Sequence, residues 1–215
     1  MEEAVERLVA RTEENRAASW KVQAQLGARH NLCDWEAVFS PYDDPTYAWV
    51  LEHVHDQDTV LEIGAGDLRL ALQLAGRAKA VYAVEINPQL VATALETIGS
   101  ALPHNLYVTC ANALDLAIPV GVTVAVLLMR HCQHLAHYFD LLQKAGCQRL
   151  ITNTRWKSGV EVIDLRKERL PFEEVEEGWY ACRCGAVGYV GEGTLCEAPP
   201  FEVLNCPHCD CSLLS

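Results

Sequence analysis

Two tight pairs of cysteines stand near the end of the chain, Cys182-x-Cys184-Gly185 and Cys206-Pro207-His208-Cys209. About twenty residues separate them, a workable spacing for two metal-binding turns. Zinc takes four soft ligands in a tetrahedron, and two turns offering two thiolates each provide them. Gly185 suits the turn after the first pair, and Pro207 stiffens the second. Cys182, Cys184, Cys206 and Cys209 are therefore the expected ligands. The first pair is one residue shorter than C-x-x-C, which leaves His208 and Cys211 open as substitutes. Four thiolates close the coordination sphere, so the Zn2+ expected here is structural rather than catalytic. Cys196 falls between the pairs, and Cys33, Cys110, Cys132 and Cys147 are scattered. The N-terminal stretch MEEAVERLVARTEENRA has no signal-peptide apolar core, so the clustering points to metal rather than disulfides and to a cytoplasmic protein.

A second constellation lies in VLEIGAGDLRLALQLA, residues 60–75, where an apolar strand passes through Gly64-Ala65-Gly66-Asp67 into a helical pattern. Glycines at such a turn let a ligand approach the backbone closely. The dinucleotide fingerprint needs a third glycine at 69, where Arg69 stands, so a pyrophosphate ligand is disfavoured. Glu62 would repel a diphosphate and attract a cationic amino-acid moiety. Glu85 ends the second strand, VYAVEI, where an acid can hydrogen-bond both hydroxyls of a ribose. Asn112, followed by Ala113, ends the third strand and offers a donor and an acceptor to an adenine edge.

The stretches VLEIGAGD, VYAVEINPQL and VTCANALDL resemble the class I S-adenosylmethionine-dependent methyltransferases over roughly residues 40–155. Their local flavour is similar to the ribosomal RNA adenine dimethyltransferases, with their E-I-G-x-G, A-V-E-I-D and D-A-L. The resemblance implies S-adenosyl-L-methionine as cofactor, with Gly64 and Gly66 lining the methionine moiety, Glu85 taking the ribose, and Asn112 with Ala113 edging the adenine. Glu62, Ala65, Ile86, Met129 and Tyr42 complete the expected cofactor contacts. Asn112 replaces the family's usual Asp, and Asn87 replaces an acid after Glu85.

The acceptor side should follow the fourth strand. Adenine-N6 methyltransferases resemble one another there in an Asn/Asp-Pro-Pro-Tyr or Asn-Leu-Pro-Tyr turn. This chain reads LLMRHCQHLAHYFD, so adenine-N6 methylation is not supported. Arg130 and His131 are the catalytic candidates, His131 because an imidazole titrates near neutral pH. The plainer reading places His131, His134 and His137, spaced by three, along one helix face. The terminal cysteine pattern resembles a zinc ribbon, which suggests an RNA or protein acceptor docked by it. Two function classes follow: a methyltransferase with an unidentified acceptor (RNA, protein or small molecule), or a non-catalytic scaffold that uses the ribbon to hold a partner. A nicotinamide oxidoreductase is disfavoured by Arg69 and Glu62.

These groups need a frame. The 215 residues suit one medium domain plus an appendage. No apolar run reaches the roughly 18 residues that span a bilayer. The net charge of −12 argues against a strong basic surface for nucleic acid. Two short basic clusters, Arg166-Lys167-Arg169 and Arg149-Arg155-Lys157, read as solvated surface. Residues 4–28 read as a helix with a break between Thr12 and Ser19, and a second helix is expected to be capped near Asp44 with Pro45 in its first turn. Tyr42 and Asp43 precede the sheet and can cover the cofactor, as can Trp20 and Trp35, although Trp20 reads first as core. Apolar strands then alternate with helical patterns, which predicts a doubly wound, mostly parallel α/β sheet of the Rossmann-like type. After Trp156 the rhythm stops, and GVEVIDL and FEEVEEGWYACRC read as closing antiparallel strands. The expected division is an N-terminal helical region over 1–55, a methyltransferase-like domain over 56–177 and a zinc ribbon over 178–215.

Overall fold

A computed structural model of the chain describes residues 1–30, 38–130, 132–155, 159–192 and 198–209. The central sheet holds β1 (Thr59–Ile63), β2 (Ala80–Glu85), β3 (Leu106–Cys110), β4 (Val124–Leu127), β5 (Arg149–Thr152) and β6 (Glu161–Asp164). Their order is β3-β2-β1-β4-β5-β6. The first five pair in parallel, and β6 closes the edge antiparallel to β5. The winding reverses between β1 and β4, which puts a ligand crevice at their carboxyl ends.

Both faces of the inner strands are covered, which is why they read as unbroken apolar runs. Val60, Val124 and Val126 join a core with the helices α1 (Glu2–Ala10), α3 (Asp44–Glu52), α4 (Arg69–Ala75) and α5 (Pro88–Ile98). Their neighbours Leu61, Ile63, Ala125 and Leu127 face the other way, onto α6 (Leu135–Lys144) through Leu135, Tyr138, Phe139 and Leu142. The link from β3 to β4 holds only a 3-10 turn at Ala113–Asp115, so this second face is thinner. Tyr82 and Tyr107 stack 5.1 Å apart, with Tyr107 half exposed.

Several local expectations are corrected. The N-terminal break falls at Arg11, ahead of the expected interval, between α1 and α2 (Thr12–His30). Trp20 is not core: it is 55% exposed, because α2 buries the face carrying Asn15, Ser19 and Leu26 and Trp20 points away from it. The cap of α3, by contrast, falls as expected, next to Asp44: the Asp43 carboxylate accepts the Thr46 amide at 3.0 Å, and Pro45 stands inside the first turn. Residues 172–174 form a 3-10 turn, not a strand. β7 (Gly178–Cys182) leaves the main sheet and pairs antiparallel with β8 (Val187–Val190) and parallel with β9 (Phe201–Val203). The basic clusters are not simply solvated either, since Arg155 and Arg169 are buried and Arg149 is spent on an ion pair. Trp35, Lys157, Cys33, Cys196 and Cys211 lie outside the described residues. Among the described residues no helix is long and apolar enough to cross a membrane.

One buried carboxylate locks the amino ends of three strands. Asp58, just before β1, accepts from the His55 amide at 2.8 Å, the Thr123 hydroxyl at 2.8 Å and Arg149 Nη2 at 2.7 Å. Burial works against its charge, but these donors outweigh burial and hold the Asp58 carboxyl below its ordinary value. Asp58→Asn should lower unfolding stability by about 2–4 kcal/mol in a denaturant titration at pH 7, because Arg149 loses its partner. The depressed pKa means that the pair contributes above the ordinary carboxyl value of about 4 and fades as pH falls below it. The difference between parent and variant should therefore shrink in acid.

Candidate functional site

The carboxyl ends of β1 to β4 open onto one crevice. Its main lobe is a cavity of about 500 Å³ lined by the 38–43 segment, the 64–67 turn, Glu62, Arg69, Glu85 and the tip of β4 from Leu128 to Arg130. A smaller lobe of about 50 Å³ is lined by Ile86, Ala111, Asn112, Ala113 and Tyr138. Gly64, Glu85 and Met129 line both, so the lobes form one cleft. The larger volume lies within the usual range for small-molecule sites, roughly 300–1,000 Å³.

The turn is shaped by its own amides. Gly64 and Ala65 both donate to the Val84 carbonyl, at 2.9 and 3.0 Å, and Gly66 donates to Glu85 Oε2 at 2.7 Å. Gly64 and Gly66 have φ of +75° and +56°, which favours glycine. A Cβ on Gly66 would meet Phe39 at 2.8 Å, and one on Gly64 would meet Met129 at 3.1 Å. Leu68 also takes the left-handed conformation, with φ of 66°, where glycine would be at ease; the cost for a leucine is about 1 kcal/mol or more. Its side chain is fully buried, which offsets that cost.

Three carboxylates crowd this turn. Glu85 is buried and its other oxygen accepts the Asn87 amide at 2.8 Å. Burial raises its pKa against these hydrogen bonds. Glu62 sits in register between Ala83 of β2 and Val126 of β4, at the reversal itself. It is buried, and its Oε2 has no hydrogen-bond partner. Burial first, then the charges of Asp67 and Glu85, push its pKa well up. Asp67 is paired with Arg69 through contacts of 2.6 to 3.1 Å. Arg69 Nη2 also donates to the Thr12 hydroxyl at 2.6 Å, which pins α2 to the cleft.

The expected contacts map onto this frame as follows. Glu62, Gly64, Ala65, Gly66, Glu85, Ile86, Asn112, Ala113, Met129 and Tyr42 all line the cleft. Asn112 Oδ1 is engaged by the Leu114 amide at 3.1 Å and caps the 3-10 turn. Asn87 caps α5, accepting from the Gln89 and Leu90 amides. Tyr42 accepts the Arg130 amide at 3.3 Å, and the Arg130 guanidinium lies 5.9 Å from its ring. Those contacts join the 38–43 segment to the tip of β4 across the cleft. His131 lies outside the described residues. His134 is the N-cap residue of α6, without a side-chain cap bond, and His137 lies three residues on inside the helix, half-buried and exposed respectively. Sequence reasoning missed Phe39, Tyr47 and the Asp67–Arg69 pair. Arg69 was visible only as a missing glycine, and the signal for its role was an acid two residues before it.

A second site is built in the terminal module. Cys182 ends β7, and a tight turn with Gly185 at φ +99° carries Cys184. Cys209 closes a turn on Cys206 through a 2.9 Å amide bond. The sulfurs lie 3.5 Å apart for Cys182–Cys209, 3.6 Å for Cys184–Cys206 and 3.9 Å for Cys206–Cys209, and all four fall within 4.8 Å of one another. A tetrahedral zinc with bonds of roughly 2.3 Å needs sulfurs about 3.8 Å apart, so the donor set fits. Among the described residues it is the one such cluster of histidine, cysteine or acid side chains, and His208 is outside it.

No family model matches the chain. Over 114 residues, 45% of its length, it is 32% identical to a protein named ribosomal RNA small subunit methyltransferase A from Paenarthrobacter aurescens (strain TC1), 39% of which is covered. A match of 167 residues, 69% of this chain, is 30% identical to the protein of that name from Arthrobacter sp. (strain FB24), covering 52% of it. The chain thus matches about half or less of the length of these relatives. Among solved structures, an RNA methyltransferase from Salinibacter ruber in complex with S-adenosyl-L-homocysteine aligns with a TM-score of 0.50 over 62% of this chain and 97% of that chain. At 17% identity that likeness is one of fold.

The strained protonation of Glu62 is measurable. Folding raises its pKa, so the folded chain holds a proton that the unfolded chain releases, and stability falls as pH climbs from about 4 through the raised value. Glu62→Gln should remove that slope. We expect the variant's Tm to exceed the parent's by about 2–6 °C at pH 7.5 and to match it near pH 4, followed by thermal unfolding without ligand.

Proposed function

We propose that the α/β region of this chain is a class I S-adenosylmethionine-dependent methyltransferase, related to the adenine dimethyltransferases, and that it transfers a methyl group from S-adenosyl-L-methionine to an RNA acceptor; the likeness to the ribosomal RNA methyltransferases supports this reading. The single observation that carries cofactor binding is the buried, unpartnered Glu62 oxygen in a glycine-walled cleft beside a second buried acid, Glu85. A buried acid with an unpartnered oxygen is costly, and a ligand ammonium would satisfy it as its proton leaves. Glu85 would then hold ribose hydroxyls, Gly64, Ala65 and Gly66 would admit the methionine portion, and Ile86, Asn112 and Ala113 would border the adenine. When bound, the cofactor supplies an electrophilic methyl on a sulfonium. The chain's part is to align the acceptor and exclude water. Tyr42 and Phe39 close the cleft from the N-terminal side, while Met129 and Arg130 border the acceptor side. His131 is retained as the group that holds or takes the acceptor proton.

RNA as the acceptor rests on the names of the relatives, which speak of ribosomal RNA. The tip of β4 departs from an adenine-clamping turn: Leu128, Met129 and Arg130 carry neither a carboxylate nor an amide side chain. That departure favours the second reading, a scaffold that binds the cofactor without transfer. A structural Zn2+ on Cys182, Cys184, Cys206 and Cys209 would fold the terminal module, over about 178–215, as a docking surface for the acceptor. A cytoplasmic location goes with a cluster of reduced thiols.

Two measurements test this. S-adenosylhomocysteine should bind by calorimetry, and Glu85→Ala or Gly66→Ala should weaken it about tenfold or more. Absence of heat in the parent protein rules the cofactor out. Labelled cofactor with cellular RNA and protein should put label in RNA; binding without label anywhere supports the scaffold. For the metal, purified protein should carry about one zinc equivalent and Cys206→Ser should lose it.

A further inference from the structure

We infer that Arg155 is a positioning residue that fixes the acceptor-side rim of the cleft, and that the cysteine module holds it there through Glu202. The inference rests on the methyltransferase reading for the use of the rim, and on the metal reading only for the part the module plays.

The Arg155 side chain is wholly buried. Its Nε and Nη2 donate to the two oxygens of Glu161, at the start of β6, at 3.0 and 2.9 Å. Its Nη1 and Nη2 donate to the two oxygens of Glu202, in β9, at 2.8 and 2.6 Å. A single guanidinium thus forks onto two carboxylates, one from the edge of the main sheet and one from the terminal module. On the far side Glu202 lies 3.6 Å from Arg169, whose guanidinium sits 3.9 Å from the ring centroid of Phe139 in α6. The Glu202 carboxylate is therefore held between two buried cations.

The link runs on in both directions. Within β9 Glu202 pairs with Ala181, and the next residue, Val203, pairs with Cys182. Toward the cleft, Arg155 follows Thr154, whose hydroxyl donates to the Met129 carbonyl at 3.3 Å and contacts the Thr152 hydroxyl at 2.7 Å. Thr152 in turn donates to the Leu127 carbonyl at 2.7 Å. Met129 is one of the three residues that line both lobes. A continuous set of contacts thus leads from a cysteine-bearing strand to the acceptor end of β4. Burying an arginine is a poor way to gain stability, whereas a double fork fixes the plane and direction of the chain that carries it. What Arg155 supplies is geometry.

Hydrogen exchange on the full chain tests this. In Glu202→Gln, amides in 127–130 and 152–155 should exchange roughly tenfold faster or more, while β1 and β2 keep their protection. S-adenosylhomocysteine affinity should stay within about threefold, because the carboxylates proposed to hold it lie on β1 and β2. Should Glu202→Gln fail to fold, Arg155→Lys keeps the charge, removes the fork and should loosen the same two segments. Chelation of the parent should loosen them as well. A lower Tm with the exchange pattern unchanged, or a loss of protection spread evenly over β1 to β3, overturns the inference. If the substitutions loosen the rim and chelation does not, the proposed metal fails while the clamp stands.

Discussion

Three successive amides of the 64–66 turn donate to the end of β2, and the rest of the cleft depends on that attachment. Two of them reach the Val84 carbonyl and the third reaches the Glu85 carboxylate. Backbone donors at the end of a strand must find acceptors, because burial without them is costly. Here the acceptors come from the neighbouring parallel strand, so the loop is drawn toward β2 and away from β4. The space left between the turn and the tip of β4 is the cavity. Both glycines take left-handed backbone along that path, where a side chain would be strained.

The same attachment brings carboxylates together. Glu62, Asp67 and Glu85 occupy a volume with one paired cation, Arg69, and that cation is committed to Asp67. Glu85 is stabilised by two backbone donors, whereas Glu62 keeps an oxygen with none. Imperfectly paired, pKa-perturbed acids of this kind gather at functional sites. The left-handed Leu68 adds to the strain, and its complete burial keeps the turn in place.

Much of this was legible in the sequence because it follows local rules. The apolar runs, the two glycines and the acids at strand ends specify the sheet and its crevice, since period, turn chemistry and strand direction are short-range properties. Asn87 and Asn112 were visible as departures from acidic residues, but their roles as caps of α5 and a 3-10 turn emerged only from the local geometry. Trp20 shows why an aromatic on a helix can mislead: α2 has little apolar period, and its buried face is chosen by Ser19 and Asn15 meeting the body. Phe39 could not be placed on Gly66 from sequence, because that contact joins segments separated by a long connection. The arginines were misread for the same reason. A run of basic residues looks solvated until the fold delivers Asp58, Glu161 and Glu202 to meet it.

The terminal module shows how a small appendage can depend on, and constrain, a larger one. Its own apolar core is small, with Val175, Tyr180 and Val203 packed around two buried cysteines. So few side chains give little hydrophobic stabilisation, and modules of this size commonly need a metal or a larger neighbour. The cysteine cluster offers four donor atoms of the kind the first would use. The second is met at the opposite face of the same short sheet, where Glu202 enters the main domain between Arg155 and Arg169. Because that anchorage lies beside the carboxyl end of β5, it falls next to the cleft rather than at the opposite end of the sheet. An appendage held by charges at this place shares the frame of the rim, because Glu202 stands beside Val203, the strand partner of Cys182, and Arg155 follows Thr154, which reaches the Met129 carbonyl.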